Sequence, residues 1–178
     1  MPIPEFVSEL RSKVGQSPLW MAGVTAVVLD EQRRVLLGRR SDTGRWALIT
    51  GIIDPGEQPA DAAARECQEE TGVHAVPERL TSVTVSPPIV HANGDQAQYL
   101  ELTFLCRAVG GEARVNDDES VEVGWFDPDA LPEGFDERAR QRLQIALSGA
   151  AEAYFSFDAT AAESAAADDR AGQSLRTT

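Results

Sequence analysis

Apolar and polar positions follow two periods along this chain. Val24 to Asp30 is apolar on both faces, as in a central strand covered on both sides. Glu31 to Arg34 interrupts the run and Val35 to Arg39 resumes it, so two strands joined by a turn are expected. Trp46 to Ile49, Leu80 to Val85, Ile89 to Ala92 and Val121 to Phe126 read as further short strands. Asn93-Gly94 is a hairpin signal leading into Gln98 to Arg107. There Leu100, Leu102, Phe104 and Cys106 share one face, and Tyr99, Glu101, Thr103 and Arg107 the other. Helical spacing appears over Glu5 to Val14, again after Gly51, and over Phe135 to Leu147. Strands mixed with helices predict the α/β class.

The helix after Gly51 carries the chemistry. Residues Gly51 to Val73 read GIIDPGEQPADAAARECQEETGV, with Pro59 suited to the first turn, Asp61 to its positive end and Gly72 to a C-cap. At about 100° per residue, Glu66, Glu69 and Glu70 fall within roughly a third of the circumference. Ala60, Ala63, Ala64, Cys67 and Thr71 form an adjoining packable side. Like charges three and four apart cost a helix roughly 0.2 to 0.5 kcal/mol per pair, so something outside the helix must offset them. A divalent cation is the simplest candidate.

The spacing G-x5-E-x7-R-E-U-x-E-E-x-G-U, with U aliphatic, resembles the signature box of the Nudix hydrolases. Gly51, Glu57, Arg65, Glu66, Glu69, Glu70 and Gly72 match its fixed positions and Val73 its last aliphatic one. Cys67 stands where that pattern prefers Ile, Leu or Val, and packs as a small hydrophobe. Leu48-Ile49-Thr50-Gly51 replaces the Leu-Pro-Gly-Gly approach common in the family, a departure that touches the turn and leaves the carboxylates intact.

The resemblance implies a Nudix-type α/β/α sandwich with a mixed β-sheet. It also implies Mg2+-dependent hydrolysis, with Mn2+ an alternative ion, of the pyrophosphate bond in a nucleoside diphosphate linked to another moiety. Position by position, Glu66 and Glu70 become direct metal ligands, Glu69 a ligand or base, and the Gly51 carbonyl an additional oxygen. Arg65 and Glu57 become supports that orient the loop against the helix. Glu119, in the acidic stretch Asp117-Asp118-Glu119, is the leading candidate for a base outside the box. Arg39, Arg40 and Arg45 are candidate phosphate grips, and Tyr99 a candidate base-stacking residue, with Arg39, Arg45 and Tyr99 carried as the substrate contacts. Pro88, fifteen residues past Val73, is a weak pointer toward ADP-ribose or sugar-nucleotide substrates. Hydrolysis of nucleoside triphosphates, oxidised ones included, is the alternative enzyme reading, and a non-catalytic nucleotide-binding module the alternative class. An intact acidic set favours catalysis. A homodimer is compatible with the family.

Composition narrows the partners. With 178 residues and 42% hydrophobic content the chain suits one core. A formal net charge of -13 argues against duplex nucleic acid, whose phosphates attract basic surfaces. The start lacks a signal-peptide core and the apolar run Met21 to Leu29 is too short for a bilayer, so a cytoplasmic, membrane-free protein is expected. Cys67 and Cys106 are expected as buried free thiols. The division expected is an N-terminal helical appendage over 1–18, a catalytic domain over 19–148 and an Ala/Asp-rich flexible tail over 149–178, where Tyr154, Phe155 and Phe157 are candidates to dock.

Overall fold

A computed structural model describes residues 3–91, 93–158 and 160. Its centre is β1 (Leu19–Leu29), which pairs in parallel with β7 (Gln96–Gly111) on one side. On the other it is antiparallel to β2 (Val35–Arg40) and β4 (Ile49–Ile52). The order β3-β2-β1-β7-β5 is completed by β3 (Trp46–Ala47) and β5 (Val73–Val85), while β6 (Ile89–Val90) joins β7 and β8 (Ser120–Phe126) joins β2. The sheet is therefore mixed.

One helix covers each face, which explains why β1 is apolar on both. Val24, Ala26 and Val28 pack with Ala62, Ala63 and Cys67 of α2 (Pro59–Thr71). Val27 and Leu29 point the other way, into a cluster with Ala139, Leu143 and Ala146 of α3 (Glu137–Leu147). Alternation along β2 repeats this division: Leu36 joins the α2 core, and Val35 and Leu37 the α3 core. Asp136 caps α3, accepting from the Ala139 N–H at 2.9 Å. This is the expected α/β/α sandwich.

Boundaries moved where local signals misled. Leu80 was the expected start of the strand after the box, yet β5 begins at Val73, directly after the helix. Pro77 sits at a register irregularity between Pro77 and Arg79, where a missing ladder donor is tolerated. The N-terminal helix α1 (Glu5–Val14) docks through Val7, which packs with Met21 and Ala97. Arg11 ties it down, donating to the carbonyls of Gly15, Ser17 and Gln96 at 2.6 to 3.0 Å. After α3, Tyr154 adds to the edge of β5, its N–H donating to Thr81 at 2.8 Å and its carbonyl accepting from Val83 at 2.9 Å. Phe155 and Phe157 are exposed. Most of the tail expected over 149–178 lies outside the described residues.

Candidate active site

Helix α2 starts and stops as its residues dictate. Pro59 occupies the first helical position, Asp61 lies in the first turn, and Gly72 closes the helix in the left-handed conformation, its N–H donating to the Gln68 carbonyl at 2.9 Å. Its rotation against the sheet differs from the expected one. Ala62 and Ala63 are fully buried, while Ala60 and Ala64 are only partly so. Glu66 and Glu70 accordingly turn into the protein, at 1% and 6% exposure, and only Glu69 remains half exposed. The acidic face of the helix is an interior wall.

Gly51 shapes this wall. A Cβ placed on it would lie 1.9 Å from Glu66 Cδ and 2.1 Å from Oε1, so the carboxylate occupies the space that a side chain would take. Arg65 supports it from the other side. Its guanidinium binds Glu57 through two hydrogen bonds, Nε to Oε1 at 2.8 Å and Nη2 to Oε2 at 2.9 Å. It also donates to Glu66 Oε1 at 2.9 Å, Glu69 Oε2 at 3.0 Å and the Ile52 carbonyl at 3.2 Å. Glu57 Oε2 accepts further from the Asp54 N–H at 3.1 Å, which binds the turn to the helix. One side chain thus links the loop, β4 and two box carboxylates.

Two oxygens of this wall have no hydrogen-bond partner among the described residues. Glu66 Oε2 and Glu70 Oε1 are buried without a hydrogen bond. Burial pushes the Glu66 carboxyl up to about 7 against the opposing pull of Arg65. It pushes Glu70 up to about 9, reinforced by the negative charges of Glu119, Glu66 and Asp117 and only partly relieved by Arg40. Glu57 moves the other way, held below the usual carboxylate range by its hydrogen bonds from Arg65. Two desolvated, mutually repelling carboxyls with spare lone pairs form a donor set suited to a hard cation such as Mg2+, which takes oxygen ligands. Among the described residues no three acidic, His or Cys side chains are already gathered as a ligand cage. Glu69 is turned toward Arg65 instead.

Beyond the box, the structure brings Glu119 into electrostatic reach of Glu66 and Glu70. Of the expected substrate residues, Arg39 and Tyr99 are engaged in other contacts. Arg39 follows Leu37 on the α3 side of β2 and lies 3.3 Å from Glu122. Arg45 is exposed on the following turn. Tyr99 packs in the α1 cluster, its hydroxyl 3.4 Å from His91. Its strand neighbour Glu101 receives Arg138 at 2.8 Å and Arg142 at 3.2 Å from α3. Besides Arg65, Arg40 acts on the site through its charge, which is coupled to Glu119 and Glu70 while it pairs with Asp42 at 2.7 Å. Alternation along β2 puts Arg40 on the same side as Leu36, which packs toward α2, and Arg39 on the side of Leu37. Asn116 had no sequence signal at all, yet it donates to the carbonyls of Gln68 and Glu69, both at 3.1 Å. A cavity of about 450 Å³ lined by Asp30, Arg34, Arg107 and Trp125 holds none of these groups. No helix among the described residues is long and apolar enough to cross a membrane.

Comparison with known proteins agrees with this geometry. The model of the NUDIX domain matches residues 19–145. A MutT-like protein of Streptomyces ambofaciens is 36% identical over 133 residues, covering 75% of this chain and 80% of the relative. The 8-oxo-dGDP phosphatase NUDT18 of Homo sapiens is 36% identical over 115 residues, 61% of this chain, which spans 33% of the human protein. Among solved structures, an ADP-ribose pyrophosphatase from Streptococcus suis superposes with a TM-score of 0.59 at 26% identity, covering 78% of this chain and 98% of that one. The chain belongs to the NUDIX domain family of pyrophosphohydrolases.

Proposed function

We propose that this chain hydrolyses the pyrophosphate bond of a nucleoside diphosphate linked to another moiety, using Mg2+, with Mn2+ able to substitute. The observation that carries this reading is the pair of buried, unpartnered oxygens Glu66 Oε2 and Glu70 Oε1 beside the Gly51 backbone. Glu66, Glu70 and the Gly51 carbonyl would hold the ion. When bound, Mg2+ neutralises adjacent phosphate oxygens and orients the attacking water. Glu119 or Glu69 would take a proton from that water, Glu119 in reach of both ligands by its charge. Arg65 keeps Glu66 in place and is itself fixed by Glu57. In this reading Arg40, coupled to Glu70 and Glu119, takes the phosphate-gripping role in place of Arg39 and Arg45. Two unbridged cysteines accord with a cytoplasmic setting.

A second substrate reading is favoured by the relatives. One is named a MutT-like protein and another an 8-oxo-dGDP phosphatase, which points to oxidised nucleotides, whereas the structural neighbour is named an ADP-ribose pyrophosphatase. The test is a panel of ADP-ribose, UDP-glucose, dGTP, 8-oxo-dGTP and 8-oxo-dGDP with Mg2+, each product identified by mass. Turnover of ADP-ribose or UDP-glucose to two monophosphate products supports the first reading, and selective turnover of the 8-oxo compounds the second. No turnover across the panel would favour a binding module and overturn both. Light scattering on the same sample tests the homodimer compatible with the family.

A further inference from the structure

The far end of α2 is held in an unusual way. An α-helix leaves its last four carbonyls without intrahelical donors. In α2 these belong to Gln68, Glu69, Glu70 and Thr71, and every one has a partner. Gly72 N–H reaches Gln68 at 2.9 Å, and Arg114 N–H reaches Thr71 at 3.0 Å. Asn116 supplies the rest: its backbone N–H donates to Glu70 at 3.2 Å, and its side-chain amide to both Gln68 and Glu69 at 3.1 Å. One residue thus spans three successive carbonyls, two of them on residues whose carboxylates belong to the site.

Gly72 in the left-handed conformation already ends the helix. What Asn116 adds is a fixed spacing between α2 and the chain that follows it. That chain reaches Asp117 and Glu119 within three residues, and both charges act on Glu70. It is pinned again downstream, where Ser41 N–H donates to the Glu119 carbonyl at 2.7 Å and Ser41 Oγ to the Asp118 carbonyl at 2.9 Å. An Asx turn between these anchors, Glu119 N–H to Asp117 Oδ1 at 2.9 Å, removes the slack.

Resting on the metal-dependent reading above, we infer that Asn116 is a positioning residue that registers the Asp117–Glu119 segment against α2 and so sets how Glu119 and Glu70 share a cation. The position needs two N–H donors on a short, uncharged side chain. Aspartate has the same shape but cannot donate, and its charge would face the negative end of the helix.

The experiment is Mn2+ binding to the purified full chain by calorimetry without nucleotide, alongside kcat and KM on the substrate found in the panel. Residues that orient ligands typically change metal affinity or activity 10- to 100-fold. Asn116→Ala and Asn116→Asp are therefore expected to weaken Mn2+ binding at least about 10-fold and to lower kcat with KM within about twofold, and Asn116→Gln to recover part of the loss. Mn2+ affinity and kcat within about twofold of wild type, with only the melting temperature lowered, would make Asn116 a helix cap and overturn the inference. Should Asn116→Ala fail to fold, Asn116→Ser, which keeps one donor, carries the same comparison. Glu70→Gln serves as the reference for a lost ligand. A wild-type chain that takes up no Mn2+ sinks the metal reading itself, whereas a binding wild type with unaltered Asn116 variants sinks only the role of Asn116.

Discussion

Adding one methyl group at Gly51 is the sharpest probe of how this site is built. Gly51 does not have positive φ, so alanine is allowed by the backbone and any cost is steric. The new Cβ would stand 1.9, 2.1 and 2.3 Å from Cδ, Oε1 and Cγ of Glu66, well inside ordinary contact at 3.4 to 4 Å. Glu66 is 1% exposed, so it must swing away and give up its 2.9 Å bond from Arg65. Overpacking of this kind costs roughly 1 to 3 kcal/mol. For a chain of this length that is a melting-temperature fall of roughly 2 to 12 °C. A carboxylate displaced by an ångström or more should cost kcat/KM about 100-fold. Thermal melting with and without Mg2+, beside steady-state kinetics, reads both effects. Gly134→Ala is the control: Gly134 has φ 77° with nothing within 4 Å of its Cβ direction, so it should lose roughly 1 to 2 kcal/mol of stability and no activity. If Gly51→Ala melts within a degree of wild type and keeps its kcat/KM, Glu66 does not sit against the Gly51 backbone and the reasoning fails.

Glu70→Gln should abolish turnover while raising the melting temperature of chelated protein at pH 8, because a neutral isostere replaces a carboxyl crowded by Glu119, Glu66 and Asp117; a lowered melting temperature in chelator would contradict this. In chelator, stability should decline as pH rises from about 5 toward 9. Burial pushes Glu66 up to about 7 and Glu70 up to about 9, above the ordinary carboxylate range, so the folded chain keeps protons that the unfolded chain has released. The slope approaches about 1.4 kcal/mol per pH unit for each such proton, and Mg2+ should flatten it; urea melts across that range would refute the sign by rising. Arg65→Lys should lower both stability and kcat, since an ammonium cannot match the two-pronged contact with Glu57 while reaching Glu66 and Glu69. Wild-type kcat in that variant would show that the arginine does not orient the site.

The local features of the site were legible because short-range chemistry fixes them. Pro59, Asp61 and Gly72 mark the ends of α2, and the apolar residues on both faces of Val24 to Asp30 place β1 between two covering layers. What sequence could not supply was the rotation of α2 about its axis. A helical wheel gives the angle between Glu66 and Ala63 but not where the sheet lies, and it is the packing of Ala62 that turns Glu66 and Glu70 inward. Arg40 was obscured for a related reason: alternation separates it from Arg39, but only the packing of Leu36 against the α2 core tells which side holds the site. Asn116 depends on contacts 47 and 48 residues away, and no local pattern encodes those.

Consistency between local and global preferences is the mark of a foldable sequence, and departures from it tend to collect at functional sites. Helix α2 departs from it on one face only. Its Ala62, Ala63, Cys67 and Thr71 positions are what a buried helix wants, whereas Glu66 and Glu70, equally buried, leave oxygens unpaired. Arg65 compensates Glu66 directly, but Glu70 has like charges on several sides and only the coupled charge of Arg40 in opposition. The uncompensated repulsion therefore concentrates at Glu70, on which both Asp117 and Glu119 of the anchored segment act. A cation arriving there would relieve more repulsion than anywhere else on the helix, which makes the instability of the metal-free site and its affinity for metal two measures of one electrostatic defect.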